Sequence, residues 1–247
     1  MEFAFFAVCR ITTTSIDLES GNNGTGFLVA TDFVTPKAKL LVITNKHLIP
    51  HPNLHVNISL NQRDASGKAL LGKQASLNLK YFVEIYQSHE DYDLALIDIT
   101  SIEWDMAPFN KFLDDSEPFL DSSQLWPGMN VFYIGFPDGR FDESNNLPLV
   151  RSGFIASYPS LDYNDKPQFL IDTHSFEDSS GSPVLIYFSG RMMLLGIYTE
   201  VMQSKMSTEP GKGLPIDYRV PLGLAIVLKA KVITELINQY KGRILLQ

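Results

Sequence analysis

Residues 176–184 read Phe-Glu-Asp-Ser-Ser-Gly-Ser-Pro-Val, and the rest of the chain is best interpreted outward from them. Gly181 permits backbone angles that other residues resist, and Pro183 fixes the backbone where the following apolar run begins. The pattern predicts a tight turn that leads into a buried strand and presents a serine hydroxyl to a cleft. Because a serine hydroxyl is a poor nucleophile until a base removes its proton, the chain must also supply a base and a group that orients it.

Two other stretches supply these groups. The apolar run Leu40-Leu41-Val42-Ile43-Thr44 is followed by Asn45-Lys46-His47, and Asp93 begins the run Asp93-Leu94-Ala95-Leu96-Ile97. A neutral imidazole can accept the serine proton, and a carboxylate can hold that imidazole in one tautomer. We therefore assign Ser180 as the candidate nucleophile, His47 as the base and Asp93 as its orienter, in the chain order of the chymotrypsin-type triad.

Short motifs in the chain resemble those of the trypsin-like serine peptidases. They are Gly24-Thr25-Gly26-Phe27, Thr44-Asn45-Lys46-His47, Asp93-Leu94-Ala95-Leu96, Gly135-Phe136-Pro137 and Ser180-Gly181-Ser182-Pro183. The resemblance is closest to the compact bacterial branch that includes the Deg/Htr proteases and glutamyl endopeptidases, and it spans residues from about 24 to 200. It implies an all-β fold of two six-stranded antiparallel β-barrels with a C-terminal α-helix. It also implies an endopeptidase that works through a covalent acyl-enzyme.

The order of apolar runs and turn residues independently favours an all-β chain. Predicted strands lie at 4–12, 25–30, 39–44, 55–60, 77–85 and 94–99, and again at 130–135, 149–157, 168–173, 183–188, 191–199 and 222–226. Residues 201–215 are polar and glycine-containing, which predicts a mobile loop. Apolar residues at helical spacing from Val232 to Tyr240 predict a final helix that stops at Gly242.

A change in composition divides the two sets of strands. Residues 101–127 carry six acidic side chains and one lysine, which is typical of a connecting segment at the surface. We predict an N-terminal barrel over residues 1–105 with His47 and Asp93, an acidic connector over 106–127, and a C-terminal barrel with the helix over 128–247 that carries Ser180.

Each catalytic assignment has alternatives in the sequence. Ser179 is the neighbouring serine, but the Gly-Ser-Pro that follows favours Ser180. The other candidate residues are the histidines His51, His55 and His89, of which we interpret His89 as part of an exposed turn, and the carboxylates Asp91 and Asp98.

Two features of the expected substrate site are less regular. The resemblance implies that the backbone N–H groups of Asp178 and Ser180 form the oxyanion hole, although the family usually has glycine where this chain has Asp178. A carboxylate there opposes developing negative charge, so we expect an enzyme that is latent until activated. The alternative is a catalytically impaired pseudoprotease that binds proteins. The resemblance implies a substrate pocket at His174, Ser175, Gly196, Ile197, Tyr198 and Thr199.

Composition limits the other classes of function. The 247 residues carry 20 basic and 28 acidic side chains, so the net charge of −8 argues against nucleic acid as a partner. The single cysteine, Cys9, fits a reducing compartment. The apolar N-terminal stretch is short and begins with the acidic residue Glu2 instead of a basic region, which argues against a signal peptide or a membrane span. We expect a cytoplasmic protein without cofactor or metal, whose partners are a protein or peptide substrate and an activating protein.

Overall fold

The computed structural model describes residues 2–15, 21–31, 38–109, 111, 113–114, 122–173, 179–207 and 217–245. Most of these residues form β-strands; a short helix, α1 (Glu2–Phe5), lies near the N-terminus and a longer one, α2 (Ala230–Leu245), near the C-terminus. The all-β class and the C-terminal helix are thereby confirmed. The predicted stop at Gly242 is wrong, because a single glycine costs a helix only about 1 kcal/mol.

The first sheet has nine strands rather than six. They are β1 (Val8–Thr14), β2 (Gly21–Thr31), β3 (Lys39–Thr44), β4 (His55–Arg63), β5 (Ala69–Lys80), β6 (Tyr86–Ser88), β7 (Ala95–Asp98), β8 (Pro108–Phe109) and β9 (Leu113–Asp114). The spatial order is β5-β4-β1-β2-β3-β7-β6, with β8 paired to β4 and β9 paired to β2. The two-residue strands β8 and β9 come from the predicted acidic connector.

The first sheet also differs from the predicted barrel because its two edges are not joined. Within the described residues β5 pairs with β4 and β6 pairs with β7, but no pairing connects β5 to β6. Strand β6 has only three residues, and a 3₁₀ turn at Val83–Ile85 separates it from β5. This edge is therefore too short to continue the hydrogen-bond ladder around a barrel.

The second sheet is the six-stranded antiparallel barrel that the resemblance implies. It contains β10 (Asn130–Gly135), β11 (Leu149–Ile155), β12 (Gln168–Asp172), β13 (Pro183–Phe188), β14 (Arg191–Ser207) and β15 (Asp217–Lys229). The strands close in the order β10-β11-β12-β15-β14-β13.

Three further local predictions are wrong. The predicted strand at 77–85 ends at Lys80, because Val83–Ile85 forms a 3₁₀ turn. Residues 201–207 continue β14 instead of forming a loop, because their backbone groups pair with β15, and backbone pairing does not require apolar side chains. The rest of that predicted loop, residues 208–216, lies outside the described residues. The predicted first strand starts only at Val8, because the preceding residues form helix α1.

One hydrophobic core joins the two sheets and the final helix. It includes Phe27 and Leu41 from the first sheet, Leu185 from the second, and Ile233 and Leu236 from α2. Separate cores fill the first sheet and the second barrel. The candidate site lies where the two sheets meet, so its parts are held by this common core.

Candidate active site

The turn that carries Ser180 requires glycine at the next position. Gly181 has a φ of +87°, and a Cβ added there would overlap the carbonyl oxygen of Thr25. The N–H of Gly181 donates to the Tyr198 carbonyl at 3.0 Å, and the N–H of Ser182 donates to the Ser179 carbonyl at 3.2 Å. The turn is therefore hydrogen-bonded to β14.

Ser180 and Ser179 differ in what their side chains can reach. Ser179 is buried, with 1% of its surface exposed. Ser180 lies at the wall of an open cavity, and its hydroxyl donates to the carbonyl oxygen of Thr199 at 2.8 Å. Of the two serines, the geometry therefore makes Ser180 the one that a substrate can meet.

His47 and Asp93 lie at the same end of the first sheet. Strands β3 and β7 pair with Thr44 opposite Ala95, so the residues that follow β3 and precede β7 are neighbours. Asp93 Oδ2 lies 2.7 Å from His47 Nδ1, and Asp93 Oδ1 accepts the backbone N–H of His47 at 2.8 Å. Asn45 Nδ2 donates to the Asp93 carbonyl at 2.7 Å, which adds a further restraint.

Two of the alternative residues, His89 and Asp98, occupy structural positions. His89 is buried rather than exposed, and its Nδ1 accepts the N–H groups of Asp91 and Tyr92 at 3.1 and 3.3 Å. Asp98 is buried in an ion pair with Lys39 at 3.0 Å. His51 and His55 do not line the cavity that Ser180 faces.

The cavity has a volume of about 490 Å³ and brings the assigned residues together. It is lined by His47, Asp93, Ser180, Tyr198, Thr199, Glu200, Val201, Gln203 and Arg219. Of the residues expected at the substrate pocket, Tyr198 and Thr199 line this cavity, whereas Gly196 and Ile197 are buried and do not. His174, Ser175 and Asp178 lie outside the described residues, so the oxyanion hole and that part of the pocket remain predictions.

Sequence reasoning missed four cavity residues, Glu200, Val201, Gln203 and Arg219. The first three belong to the part of β14 that runs past the predicted strand end, and Arg219 lies on its partner β15. Recognising residues 201–207 as a strand would have indicated that they continue β14 beyond Tyr198 and Thr199, toward the cavity that contains Ser180.

Thr25 has a structural role that its motif alone did not reveal. Its N–H donates to the Ser180 carbonyl at 3.1 Å, and its hydroxyl oxygen accepts the Phe136 N–H at 2.9 Å. The Thr25 carbonyl accepts the Thr44 hydroxyl at 2.7 Å. One residue therefore connects the turn that carries Ser180, the end of β10 and the end of β3.

In the described part of the chain, no three His, Cys, Asp or Glu side chains are grouped so that they could hold a metal ion. Among the same residues, no helix has the length and apolar character needed to cross a bilayer.

Comparison with known proteins agrees with this geometry. Residues 24–197, well over half of the chain, match the family model for the trypsin-like peptidase domain. No curated protein matches the sequence.

Solved protease structures share the fold at low sequence identity. The Rv3671c protease from M. tuberculosis, in its active form, aligns with a TM-score of 0.52 and 17% identity over 95% of this chain and 81% of its own. The HtrA-type protease AlgW with a decapeptide aligns with a TM-score of 0.55 and 13% identity. The alignment covers 98% of this chain and 66% of AlgW. Tobacco vein mottling virus protease aligns with a TM-score of 0.50 and 15% identity, over 91% of this chain and 76% of its own. The chain therefore belongs to the trypsin-like serine peptidases, a family of hydrolases.

Proposed function

We propose that the protein is a serine endopeptidase in which Ser180 attacks the peptide carbonyl, His47 transfers protons and Asp93 orients His47. The observation that carries this proposal is that all three side chains line one cavity, with Asp93 bonded to both the ring and the backbone of His47. The proposed substrate is a protein or peptide, and the proposed location is the cytoplasm.

The hydrogen bond between His47 and Asp93 supports a defined path for the proton. With Nδ1 donating to Asp93, the Nε2 atom of His47 is the acceptor for the Ser180 proton. The Ser180 Oγ–carbon bond forms, the tetrahedral intermediate then breaks its carbon–nitrogen bond, and the leaving amine takes the proton from Nε2. Water then attacks the acyl-enzyme while His47 takes its proton. The bond from the acyl carbon to Ser180 Oγ breaks, and Ser180 regains its proton from His47.

The hydrogen bond of Ser180 supports a latent resting state. A hydroxyl has one hydrogen, and here it is donated to Thr199, so it must rotate before it can be donated to His47. Such a bond contributes a net of about 0.5–1.5 kcal/mol, which slows turnover by roughly tenfold at most. Losing one oxyanion donor costs about 3–4 kcal/mol, so Asp178 would be the larger cause of latency.

A substitution at Asp178 tests the latency. If the carboxylate opposes the oxyanion, Asp178→Gly should raise the turnover of a small ester substrate while Ser180 stays essential. Turnover that is unchanged or lower in Asp178→Gly would remove the basis for latency and assign Asp178 a neutral or substrate-binding role.

Labelling with a fluorophosphonate probe tests the nucleophile directly. The wild-type protein and Ser179→Ala should react with the probe, whereas Ser180→Ala should not. For peptide turnover, loss of a triad serine costs on the order of a million-fold in subtilisin, which sets the expected scale. Labelling that survives in Ser180→Ala but is lost in Ser179→Ala would show that the nucleophile is Ser179.

The same Ser180–Thr199 hydrogen bond also favours the second candidate, a pseudoprotease that binds peptides without cutting them. A pseudoprotease should bind peptides when folded but should neither react with the probe nor cleave a peptide. The same result is expected for Asp178→Gly. Measurable labelling of any of these forms excludes it.

A further inference from the structure

Strand β14 extends past the barrel and forms an arm beside the cavity. Its pairing with β13 ends at Ile197, opposite Pro183, whereas its pairing with β15 continues to Ser207. The β14–β15 ladder shifts register between Tyr198 and Glu200 and again between Val201 and Gln203. We call residues 203–207 and 217–221 the arm. Bulges bend a strand and redirect its side chains, so these two register shifts explain why residues of the arm line the cavity.

Two cations face each other on this arm. Lys205 and Arg219 are direct partners across the ladder, and both are exposed. Like charges directly opposite each other on a sheet are destabilising, and this chain carries an excess of eight negative charges. Because Arg219 also lines the cavity that contains Ser180, the pair is placed to meet a bound anionic group.

The acidic groups of the cavity lie elsewhere. Asp93 is bonded to His47, and Glu200 is exposed next to Thr199, the residue that accepts the Ser180 hydroxyl. Lys205 is six positions beyond Thr199 on β14, counting from the sequence. Charge in the cleft therefore changes sign, from negative near the nucleophile to positive at the arm.

We propose that Arg219, with Lys205, binds an acidic side chain of the substrate several residues from the scissile bond. The proposal rests on the proposed peptidase function and adds its substrate class. An extended peptide advances about 3.3 Å per residue, so a peptide lying alongside β14 from Ser180 reaches the arm after several residues. Glu200 repels an acidic residue closer to the cut and so restricts where the acid is accepted.

A peptide series with matched variants tests this subsite. Each fluorogenic peptide carries one Glu, placed from two to six residues from the scissile bond on either side, and is paired with its Gln analogue. At one position the wild type should cleave the Glu peptide about three- to fivefold better in kcat/KM, the scale of an exposed ion pair. This preference should shrink in high salt.

The variants separate the arm from general charge effects. Arg219→Glu should reverse the preference and Arg219→Gln should abolish it, with the preference measured in each variant as the ratio of kcat/KM for the Glu peptide to kcat/KM for its Gln analogue. Lys73→Glu changes the net charge by the same amount as Arg219→Glu, but at an exposed position on β5, and should keep the Glu preference. Circular dichroism of each variant establishes that it is folded.

Binding distinguishes failure of this proposal from failure of the peptidase proposal. The same peptides are titrated against Ser180→Ala, alone and combined with Arg219→Gln, by fluorescence anisotropy. A Glu preference that depends on Arg219 supports the subsite even if no peptide is cut. The subsite is refuted if no position shows a Glu preference in cleavage or binding, or if the preference survives both Arg219 variants.

Discussion

Thr25 illustrates how much of the site depends on one side chain. Its backbone and hydroxyl bind the Ser180 carbonyl, the Phe136 N–H and the Thr44 hydroxyl, and the residue is fully buried. A Cβ on Gly135 would overlap the hydroxyl of Ser182 and crowd that of Thr25, which explains the glycine before Phe136. The Gly24-Thr25-Gly26 and Gly135-Phe136 motifs are thus two sides of one contact.

Replacing the Thr25 hydroxyl should weaken this contact selectively. Thr25→Val keeps the shape of the side chain but leaves the Phe136 N–H without its acceptor. The free energy of unfolding measured in urea should therefore fall by about 1–3 kcal/mol. Thr25→Ser retains the oxygen and should lose less stability than Thr25→Val. We also expect slower fluorophosphonate labelling in Thr25→Val that is restored in Thr25→Ser. Equal stability of Thr25→Val and wild type would contradict the role of the hydroxyl.

The proposed base predicts a dependence on pH. His47 can accept the Ser180 proton only when its imidazole is neutral, and free imidazole titrates near pH 6.5. The labelling rate should therefore rise as the pH increases from about 5 to 8 and should not respond to a chelator. A rate that falls over this range, or one that a chelator abolishes and zinc restores, would argue against a histidine base.

At the scale of elements, helix α2 is tied to the first sheet by a buried polar contact. The Tyr240 hydroxyl donates to Asp98 Oδ2 at 3.0 Å, and Lys39 Nζ lies 3.0 Å from the same oxygen. Burial disfavours the ionised Asp98, but hydrogen bonds from Thr100 and the charge of Lys39 outweigh it and lower the pKa of this carboxyl. Burial, with a further contribution from Asp98, raises the pKa of Tyr240.

Removing this carboxylate should destabilise the protein in a pH-dependent way. Because the pKa of Asp98 is lower in the folded chain, its ionisation stabilises the fold above the unfolded value of about 3.9, and this contribution is lost as the pH falls through the lower folded value. Asp98→Asn should cost about 1–3 kcal/mol at pH 7, and the difference from wild type should shrink below about pH 4.

Urea unfolding at pH 7, 5 and 3 measures the effect. Glu235→Gln, at an exposed position on α2, is the matched control and should change stability little at any of these values. A deficit in Asp98→Asn that stays constant down to pH 3 would show that ionisation of Asp98 does not stabilise the fold.

At the scale of the whole molecule, the shared core determines how the two halves depend on each other. Phe27 and Leu41 on one sheet and Leu185 on the other belong to one buried cluster with α2. The predicted boundaries at 105 and 127 stay a prediction, and strands β8 and β9 from the predicted connector pair with the first sheet. Neither sheet keeps the shared cluster if the other unfolds. We therefore expect both halves to unfold in one transition.

The two tryptophans offer a probe for each half. Trp104 packs against the core of the first sheet, and Trp126 contacts Tyr158 with ring centroids 6.0 Å apart. In Trp126→Phe and Trp104→Phe, the remaining fluorophore should report the same urea midpoint as circular dichroism of that variant. Separate midpoints within one variant would show that the halves unfold independently.

Local sequence patterns were sufficient for the elements that depend on neighbouring residues. Strands β3, β10 and β13 begin and end where the apolar runs and turn residues predict. Gly181 and Pro183 predict the turn that carries Ser180, and the runs that end before His47 and begin at Asp93 predict two strand ends. These features follow from backbone sterics and from the order of apolar and turn residues over a short stretch, so the sequence alone determines them.

Tertiary structure decided what depends on distant partners. The short β6 leaves the first sheet open, and β15 holds the polar residues 201–207 as a strand, although no local pattern indicates either outcome. The acceptor of the Ser180 hydroxyl and the position of Arg219 in the cavity depend on the same long-range pairing. Backbone hydrogen bonds form between groups that every residue carries, so side-chain composition alone does not specify which strands will supply them.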